Sequence, residues 1–360
     1  MSQDKIKVVI IHNAFLIGGA ENMVFELAKN LDKSRVEAKI ITLRSRFGTA
    51  LEEKVDKAGL QNEYAECSGR VTLKKLSKVY RMIKREKPDI IHAHMAGAAY
   101  GMPWILTHKT KMVITPHTSP DKAFNKRTTA FIKALIRLKK VVVTAVSEEN
   151  RLLIKEAYKL KDEQVKFVNN GVDLSRFYKK EHEGVTFINV GRQDENKNQK
   201  LILKLFARLC EERNDIKLIL CGDGECHEAL KRLAKDLAVA DKVQFTGNVA
   251  DTENYLSVAD IYLQSSHREG LPLSIIEGMA ACLPIISTDV GGISDIVKDN
   301  GILVADNDEE AYFNAMRSLC YDANLREKMG KISKVYTADF SSKKMAETYT
   351  EIFRQNIKKG

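Results

Sequence analysis

The amino-acid sequence predicts an α/β protein of two domains, each organised on a parallel sheet. Three observations lead there. Near-continuous apolar runs alternate with helix-patterned stretches, the signature of parallel strands joined by crossover helices. At 360 residues the chain is long enough for two cores of ordinary size. Charge divides unequally: residues 1–180 carry 35 Lys and Arg against 19 Asp and Glu, and residues 181–360 carry 23 against 29. Halves of opposite sign suit two separate domains, and the basic one calls for a partner.

Composition narrows the class. The chain is 44% hydrophobic and 29% charged, with no low-complexity tract or repeat, as in a globular protein. Its opening, MSQDKIKVVII, passes into a strand pattern at Ile6 without the apolar core of a signal peptide. No apolar stretch approaches 18 residues, so a cytoplasmic protein that spans no membrane is expected. The six cysteines (67, 210, 221, 226, 282 and 320) form no C-x-x-C pair and read as reduced thiols rather than zinc ligands.

In the first half, residues 6–12 (IKVVIIH) are apolar almost throughout, as a strand covered on both faces must be. The loop NAFLIGGAEN follows, and Met23, Phe25, Leu27, Ala28 and Leu31 carry a helix. Gly18 and Gly19, at this strand-to-helix turn, let an anion approach the backbone closely. Strand-like runs return at 38–43, 89–92 and 112–115, with helical patterns at 72–87 and 127–138. Histidines close two of these strands: His92 and His94 in IHAH, and His117 in TPHTSP. VVVTAVSEEN (141–150) adds a strand and a helix capped by Ser147, with Glu148 and Glu149 in its first turn. VKFVNNGVDLSRF (165–177) supplies a last strand and the connection, placing a hinge near 170–183.

The second half opens with a strand through Val190 that ends at Gly191-Arg192, and a helix begins near Asn198. Arg192 and Lys197 bracket the loop between them. IKLILCGDGE (216–225) and VQFTGNV (243–249) are strands running into turns. The densest stretch is 264–292, QSSHREGLPLSIIEGMAACLPIISTDVGG. Ile261-Tyr262-Leu263 reads as a buried strand, Glu269-Gly270 as a turn, and Pro272 suits a first helical turn. Leu273, Ile276, Ala280 and Leu283 make an apolar stripe, with the helix ending at Leu283-Pro284. Loops at the carboxyl ends of parallel strands are where open α/β sheets bind ligands. The free N–H groups of the helix start favour phosphate. Glu277 leans back toward that start, because helical side chains point to the N-terminus. Ionised carboxylates only accept hydrogen bonds, so Glu269 and Glu277 suit hydroxyl groups. A phosphate flanked by two hydroxyl-bearing groups describes a nucleotide sugar.

This stretch closely resembles the nucleotide-sugar signature of retaining GT-B glycosyltransferases, in particular glycosyltransferase family 4. The resemblance covers essentially the whole chain, with its motifs in order. It implies two Rossmann-like parallel-sheet domains facing across a cleft: residues 1–172 on the acceptor side, 173–340 holding the nucleotide sugar, and 341–360 a helix crossing back to the first domain. In that family the first Glu of E-x7-E meets the donor sugar and the second the ribose, here Glu269 and Glu277. The match of GGAE at 18–21 puts Gly18 and Gly19 beside the acceptor and donor phosphates, and His117 falls near the donor sugar. G-R-x4-K makes Gly191, Arg192 and Lys197 the diphosphate clamp. Gly222 with Gly224, and Asn248 with Val249, fall near base or ribose, and Gly270, Leu271, Pro272 and Leu273 line the helix start. His94, His267 and Arg268 receive no role.

The implied activity is retaining transfer of a hexose from a nucleotide sugar, UDP favoured, to a glycan or lipid-linked acceptor, with no metal or other cofactor and no nucleic-acid partner. A GT-B epimerase or hydrolase and a catalytically silent partner subunit stand as alternatives. RVTLKKLSKVYRMIKREK (70–87) and NKRTTAFIKALIRLKK (125–140) are basic amphipathic stretches, the first with Leu73, Leu76, Tyr80 and Ile83 as its apolar stripe. Together with the basic first half they predict peripheral docking on an anionic membrane surface.

Overall fold

The computed structural model describes residues 5–16, 18–117 and 126–357. The chain divides into two compact units, one running to Gly171 and resuming at Ser341, the other spanning Val172–Phe340.

The first unit holds seven parallel strands, β1 (Ile6–His12), β2 (Val36–Thr42), β3 (Asn62–Tyr64), β4 (Ile90–His94), β5 (Lys111–Thr115), β6 (Val141–Ala145) and β7 (Val165–Phe167). Their order is β3-β2-β1-β4-β5-β6-β7. The helices between them are α1 (Gly19–Asn30), α2 (Ala50–Lys57), α3 (Leu73–Glu86), α4 (Gly97–Thr107), α5 (Lys126–Arg137) and α6 (Glu148–Tyr158). Side chains alternate across a strand, so β1 feeds two cores: Val9 and Ile11 pack with Met82 and Ile105, while Val8 and Ile10 pack with Met23 and Leu27. The C-terminal helix Ser342–Asn356 joins the second of these cores through Met345, Tyr349 and Phe353. Burying a side chain such as Phe353 contributes about 1.5–3 kcal/mol.

The basic helix α3 departs from its expected stripe. Ile83 is buried, with Val79 and Met82, and Leu76 and Tyr80 pack against the core. Leu73 is 85% exposed. It is the first residue after the Thr72 cap, so the period assigned it to the stripe while the core lies farther along the helix.

The second unit has six parallel strands in the order β10-β9-β8-β11-β12-β13: β8 (Val185–Val190), β9 (Ile216–Cys221), β10 (Val243–Gly247), β11 (Ile261–Gln264), β12 (Ile285–Thr288) and β13 (Gly301–Val304). Its helices are α7 (Gln199–Glu212), α8 (His227–Asp236), α9 (Thr252–Leu256), α10 (Leu273–Ala280), α11 (Glu309–Tyr321) and α12 (Ala323–Tyr336). Phe187, Leu218 and Leu263 face α7 and α11 residues, and Ile188, Ile219 and Tyr262 face those of α10. Helix α10 stops sooner than the apolar pattern suggests. Cys282 takes a left-handed conformation, φ 60°, and Leu283 is buried beyond the helix rather than on it. Inside α10, Ile275 and Met279 are buried alongside Ile276 and Ala280.

Helix α10 lies close on β11 because residue 278 has no side chain. A Cβ there would come within 2.6 Å of the Tyr262 ring. Gly278→Ala should therefore destabilise the protein by about 1–3 kcal/mol through overpacking, which a fall of several degrees in thermal midpoint would register. An unchanged midpoint would mean that the contact relaxes freely.

Candidate functional site

Each sheet reverses its strand order once, between β1 and β4 in the first unit and between β8 and β11 in the second. Loops diverge at such a reversal and leave a crevice at the strands' carboxyl ends. Candidate residues from both halves of the chain gather at these two places.

In the second unit the loop after β8 carries Arg192 and Lys197, and the loop after β11 carries Glu269. Lys197 Nζ lies 2.5 Å from Glu269 Oε1. The same oxygen accepts from Gln264 Nε2 at 2.5 Å and from Ser266 Oγ at 2.6 Å. Arg192 behaves differently. Its side chain is 76% exposed, and its Nη2 lies 2.6 Å from buried Asp194. Asp194 also accepts the backbone N–H of Lys197 at 3.0 Å, so one carboxylate shapes the loop and orients the Arg192 guanidinium. Ser265 Oγ donates to the carbonyls of Lys197 and Asn198 at 2.9 Å each, tying the two loops together.

Glu277 lies one turn into α10, where it accepts from Thr252 Oγ1 at 3.2 Å. The helix begins after Pro272 with no side-chain cap, so its first N–H groups keep their pull on an anion. Leu271 and Leu273 are half-buried and Pro272 is buried. A Cβ on Gly270 would meet nothing within 4 Å, so the turn is open at this point.

The neighbouring strand ends are close enough to require glycine. Gly222 has φ 129°, and a Cβ on it would lie 2.0 Å from the Gly191 carbonyl oxygen. Its N–H donates to the Gly247 carbonyl at 2.9 Å, and the Gly191 N–H donates to the Cys221 carbonyl at the same distance. Gly191 and Gly222 thus meet at the carboxyl ends of β8 and β9, and a Cβ on Gly224 would lie 2.3 Å from the Gln193 carbonyl oxygen. Asn248 is exposed and Val249 half-buried just beyond β10.

Sequence reasoning left His267 and Arg268 without a role and overlooked their partners. The His267 ring nitrogen Nδ1 lies 2.9 Å from Asp306, the His267 backbone N–H donates to the Asn196 carbonyl at 2.8 Å, and Asn196 Nδ2 donates to the Arg268 carbonyl at 2.9 Å. They brace the loop after β11 against its neighbours. Gln264, Ser266 and Asp194 were overlooked as well.

The first unit gathers histidines. His94 Nδ1 lies 3.0 Å from His117 Nε2, His92 Nε2 lies 2.8 Å from Thr115 Oγ1, and the His92 and His94 rings are 4.2 Å apart. Thr115 and Thr144 also meet the hydroxyl of Tyr349 from the C-terminal helix, at 3.1 and 3.3 Å. Gly18 and Gly19 lie at the start of α1, which has no side-chain cap. The carboxylate of Glu21 folds back over Gly18, and its burial raises its pKa. Burial also pushes His12 and His92 down to about 3 and His117 to about 4, and holds His94 well below its ordinary value. Among the described residues no three His, Cys, Asp or Glu side chains gather as a metal site.

The chain is similar to known glycosyltransferases. A family model described as Glycosyl transferases group 1 matches residues 170–335, and one described as Glycosyltransferase Family 4 matches residues 17–176. The chain is 28% identical over 298 residues to N-acetyl-alpha-D-glucosaminyl L-malate synthase of Bacillus anthracis, covering 77% of each chain. It is 25% identical over 252 residues to the Campylobacter jejuni enzyme named N-acetylgalactosamine-N,N'-diacetylbacillosaminyl-diphospho-undecaprenol 4-alpha-N-acetylgalactosaminyltransferase, covering 66% of this chain and 68% of that one. The share of a curated relative's length that is matched runs from 42% in one to 98% in another. Among solved structures, Alr3699/HepE of Anabaena in complex with UDP superposes with a TM-score of 0.83 at 17% identity, over 97% of this chain and all of that one.

The buried histidines set a pH dependence. His12 and His92 are neutral when folded down to about pH 3, whereas an unfolded histidine titrates near 6.5. Their folded pKa values are depressed, so the unfolded state binds more protons between these limits. Stability is complete above pH 6.5 and is lost as pH falls, by up to about 1.4 kcal/mol per pH unit for each histidine. Thermal midpoints should fall from pH 6.5 to 5, above the range in which carboxylates protonate. A flat profile there would contradict the neutral assignment.

Proposed function

We propose that this chain, a GT-B glycosyltransferase of the family 4 type, transfers a hexose from a nucleotide sugar, UDP favoured, to a glycan or lipid-linked acceptor with retention of configuration. One observation carries the reading. At the switch point of the second sheet, two cations and a carboxylate stand on facing loops beside a helix N-terminus without a side-chain cap, with a second carboxylate one turn into that helix.

The roles follow from chemistry. Exposed Arg192 can grip phosphate oxygens with two N–H groups, while Lys197 acts as a movable point charge. With the start of α10 they neutralise the diphosphate as it leaves, where stabilisation of developing charge counts most. Glu277 accepts from the ribose and Glu269 from the sugar. The resemblance assigns His117 to the donor sugar and the Gly18–Gly19 turn to the acceptor and donor phosphates. Retention is met by attack from the face the diphosphate leaves: the acceptor oxygen bonds to the anomeric carbon, the carbon–oxygen bond to phosphate breaks, and the departing phosphate takes the acceptor's proton. No protein nucleophile is needed.

The UDP in the Anabaena complex supports the donor, and the name of the Campylobacter relative supports a lipid-linked acceptor. The Bacillus anthracis relative is named for L-malate, which makes a soluble acceptor the competing reading. The first unit's surface favours a lipid. Leu73 and Leu138 are 85% and 70% exposed among basic neighbours. On α3, Glu66 and Glu63 already engage Lys78 and Arg85, so exposed Lys74, Arg81 and Lys84 are the better candidates for contact. Each contributes about 1 kcal/mol at an anionic surface. No helix among the described residues is long and apolar enough to cross a membrane.

The direct test of the reading is thermal stabilisation by a panel of UDP- and GDP-sugars. A donor at 100 times its dissociation constant adds about 2.7 kcal/mol, and a panel without effect would overturn the reading. With the donor known, Arg192→Ala or Lys197→Ala should lower turnover by about a hundredfold or more while the protein stays folded. Near-normal turnover would remove that residue from the clamp. For the membrane, co-sedimentation at low salt should show binding to phosphatidylglycerol vesicles and not to phosphatidylcholine. Attachment should be lost when Lys74, Arg81 and Lys84 are changed to Glu, and unchanged binding in that variant would favour a soluble acceptor.

A further inference from the structure

The face of β11 that meets α10 carries a line of buried polar side chains. Tyr262, Gln264 and Ser266 alternate along the strand and its continuation, so all three lie on one face, and all three are buried. The Tyr262 hydroxyl lies 3.2 Å from the Val190 carbonyl and 3.3 Å from Gln264 Oε1. Gln264 Nε2 lies 2.7 Å from Ser266 Oγ and donates to Glu269 Oε1 at 2.5 Å, where Ser266 Oγ also donates at 2.6 Å. Lys197 shares this same oxygen. Glu269 Oε2 takes none of these bonds.

We infer that Gln264 is a positioning residue for Glu269, oriented by Tyr262 and seconded by Ser266. A carboxylate held only by Lys197 would lose its place whenever that lysine turned to a diphosphate. With Gln264 and Ser266 on Oε1 it stays pinned by one oxygen, and the other keeps a fixed aim at a hydroxyl of the donor sugar. Hydrogen bonds to a charged acceptor are the stronger kind, and a buried strand presents them with little freedom. The inference rests on the proposed contact between Glu269 and the sugar. It adds the element that makes this contact survive donor binding.

The test compares the wild type with Gln264→Leu, which keeps the volume and removes both polar atoms, using the sugar nucleotide identified by thermal stabilisation. Turnover should fall about tenfold, while calorimetry with UDP alone should give affinity within about twofold of wild type, since Gln264 acts on the sugar side. Combined with Glu269→Ala, the substitution should add no further loss, because two residues acting through one group are not additive. Should Q264L fail to fold, Tyr262→Phe and Ser266→Ala each remove one hydroxyl and should lower turnover in the same direction. Normal turnover in these variants, or losses that multiply in the double mutant, would overturn the positioning role. If the wild type binds no sugar nucleotide, the donor reading falls and this inference with it. If the wild type turns over and Q264L matches it, only the inference falls.

Discussion

The ion pair between Lys197 and Glu269 joins the two loops that flank the switch point of the second sheet, and the candidate site takes its shape from it. Lys197 is 21% exposed and Glu269 9%, so the pair lies between a surface bridge worth up to about 1 kcal/mol and a buried one whose disruption costs about 3–5. That intermediate value suits its place. Gln264 and Ser266 donate to the same Glu269 oxygen that Lys197 meets. Arg192 differs: its side chain is 76% exposed, and its guanidinium Nε and Nη2 both meet Asp194 at 2.6 Å.

Two glycine contacts set the dimensions around this pair. Gly222 brings the strand end of β9 against the Gly191 carbonyl, and Gly278 lets α10 settle on Tyr262. The first fixes the loop that carries Arg192. The second fixes the strand that carries Gln264 and the helix that carries Glu277. A Cβ at Gly222 would meet a backbone carbonyl and one at Gly278 the buried Tyr262 ring, so the polar residues depend on two places where nothing projects. The first unit relies on burial instead: it lowers the pKa of His12, His92, His94 and His117, and His92 is joined to the C-terminal helix through Thr115 and Tyr349.

Much of this was legible in the sequence because the signals are local. Apolar runs at strand length gave both parallel sheets, and Arg192, Lys197, Glu269 and Glu277 sit at fixed spacings around strand ends and one helix start. What escaped depends on separations the pattern does not carry. His267 meets Asp306 39 residues away, and Thr252 meets Glu277 25 residues away; neither spacing is periodic. Gln264 could have been noticed, since a Gln two residues from Tyr and two from Ser in a buried strand demands partners. Leu73 and Leu283 show the opposite error. Both continue an apolar period, yet one lies before the core begins and the other after its helix has ended.

On the proposed function, Glu269 ahead of α10 and Glu277 within it divide a nucleotide sugar between them. Calorimetry with UDP alone, on Glu277→Ala and Glu269→Ala, tests it most directly. Glu277→Ala should weaken UDP binding by about tenfold, the value of one hydrogen bond between a charged group and the ribose. Glu269→Ala should leave it near wild type, since its partner is the absent sugar. Equal losses in the two variants, or a loss in Glu269→Ala alone, would contradict the account.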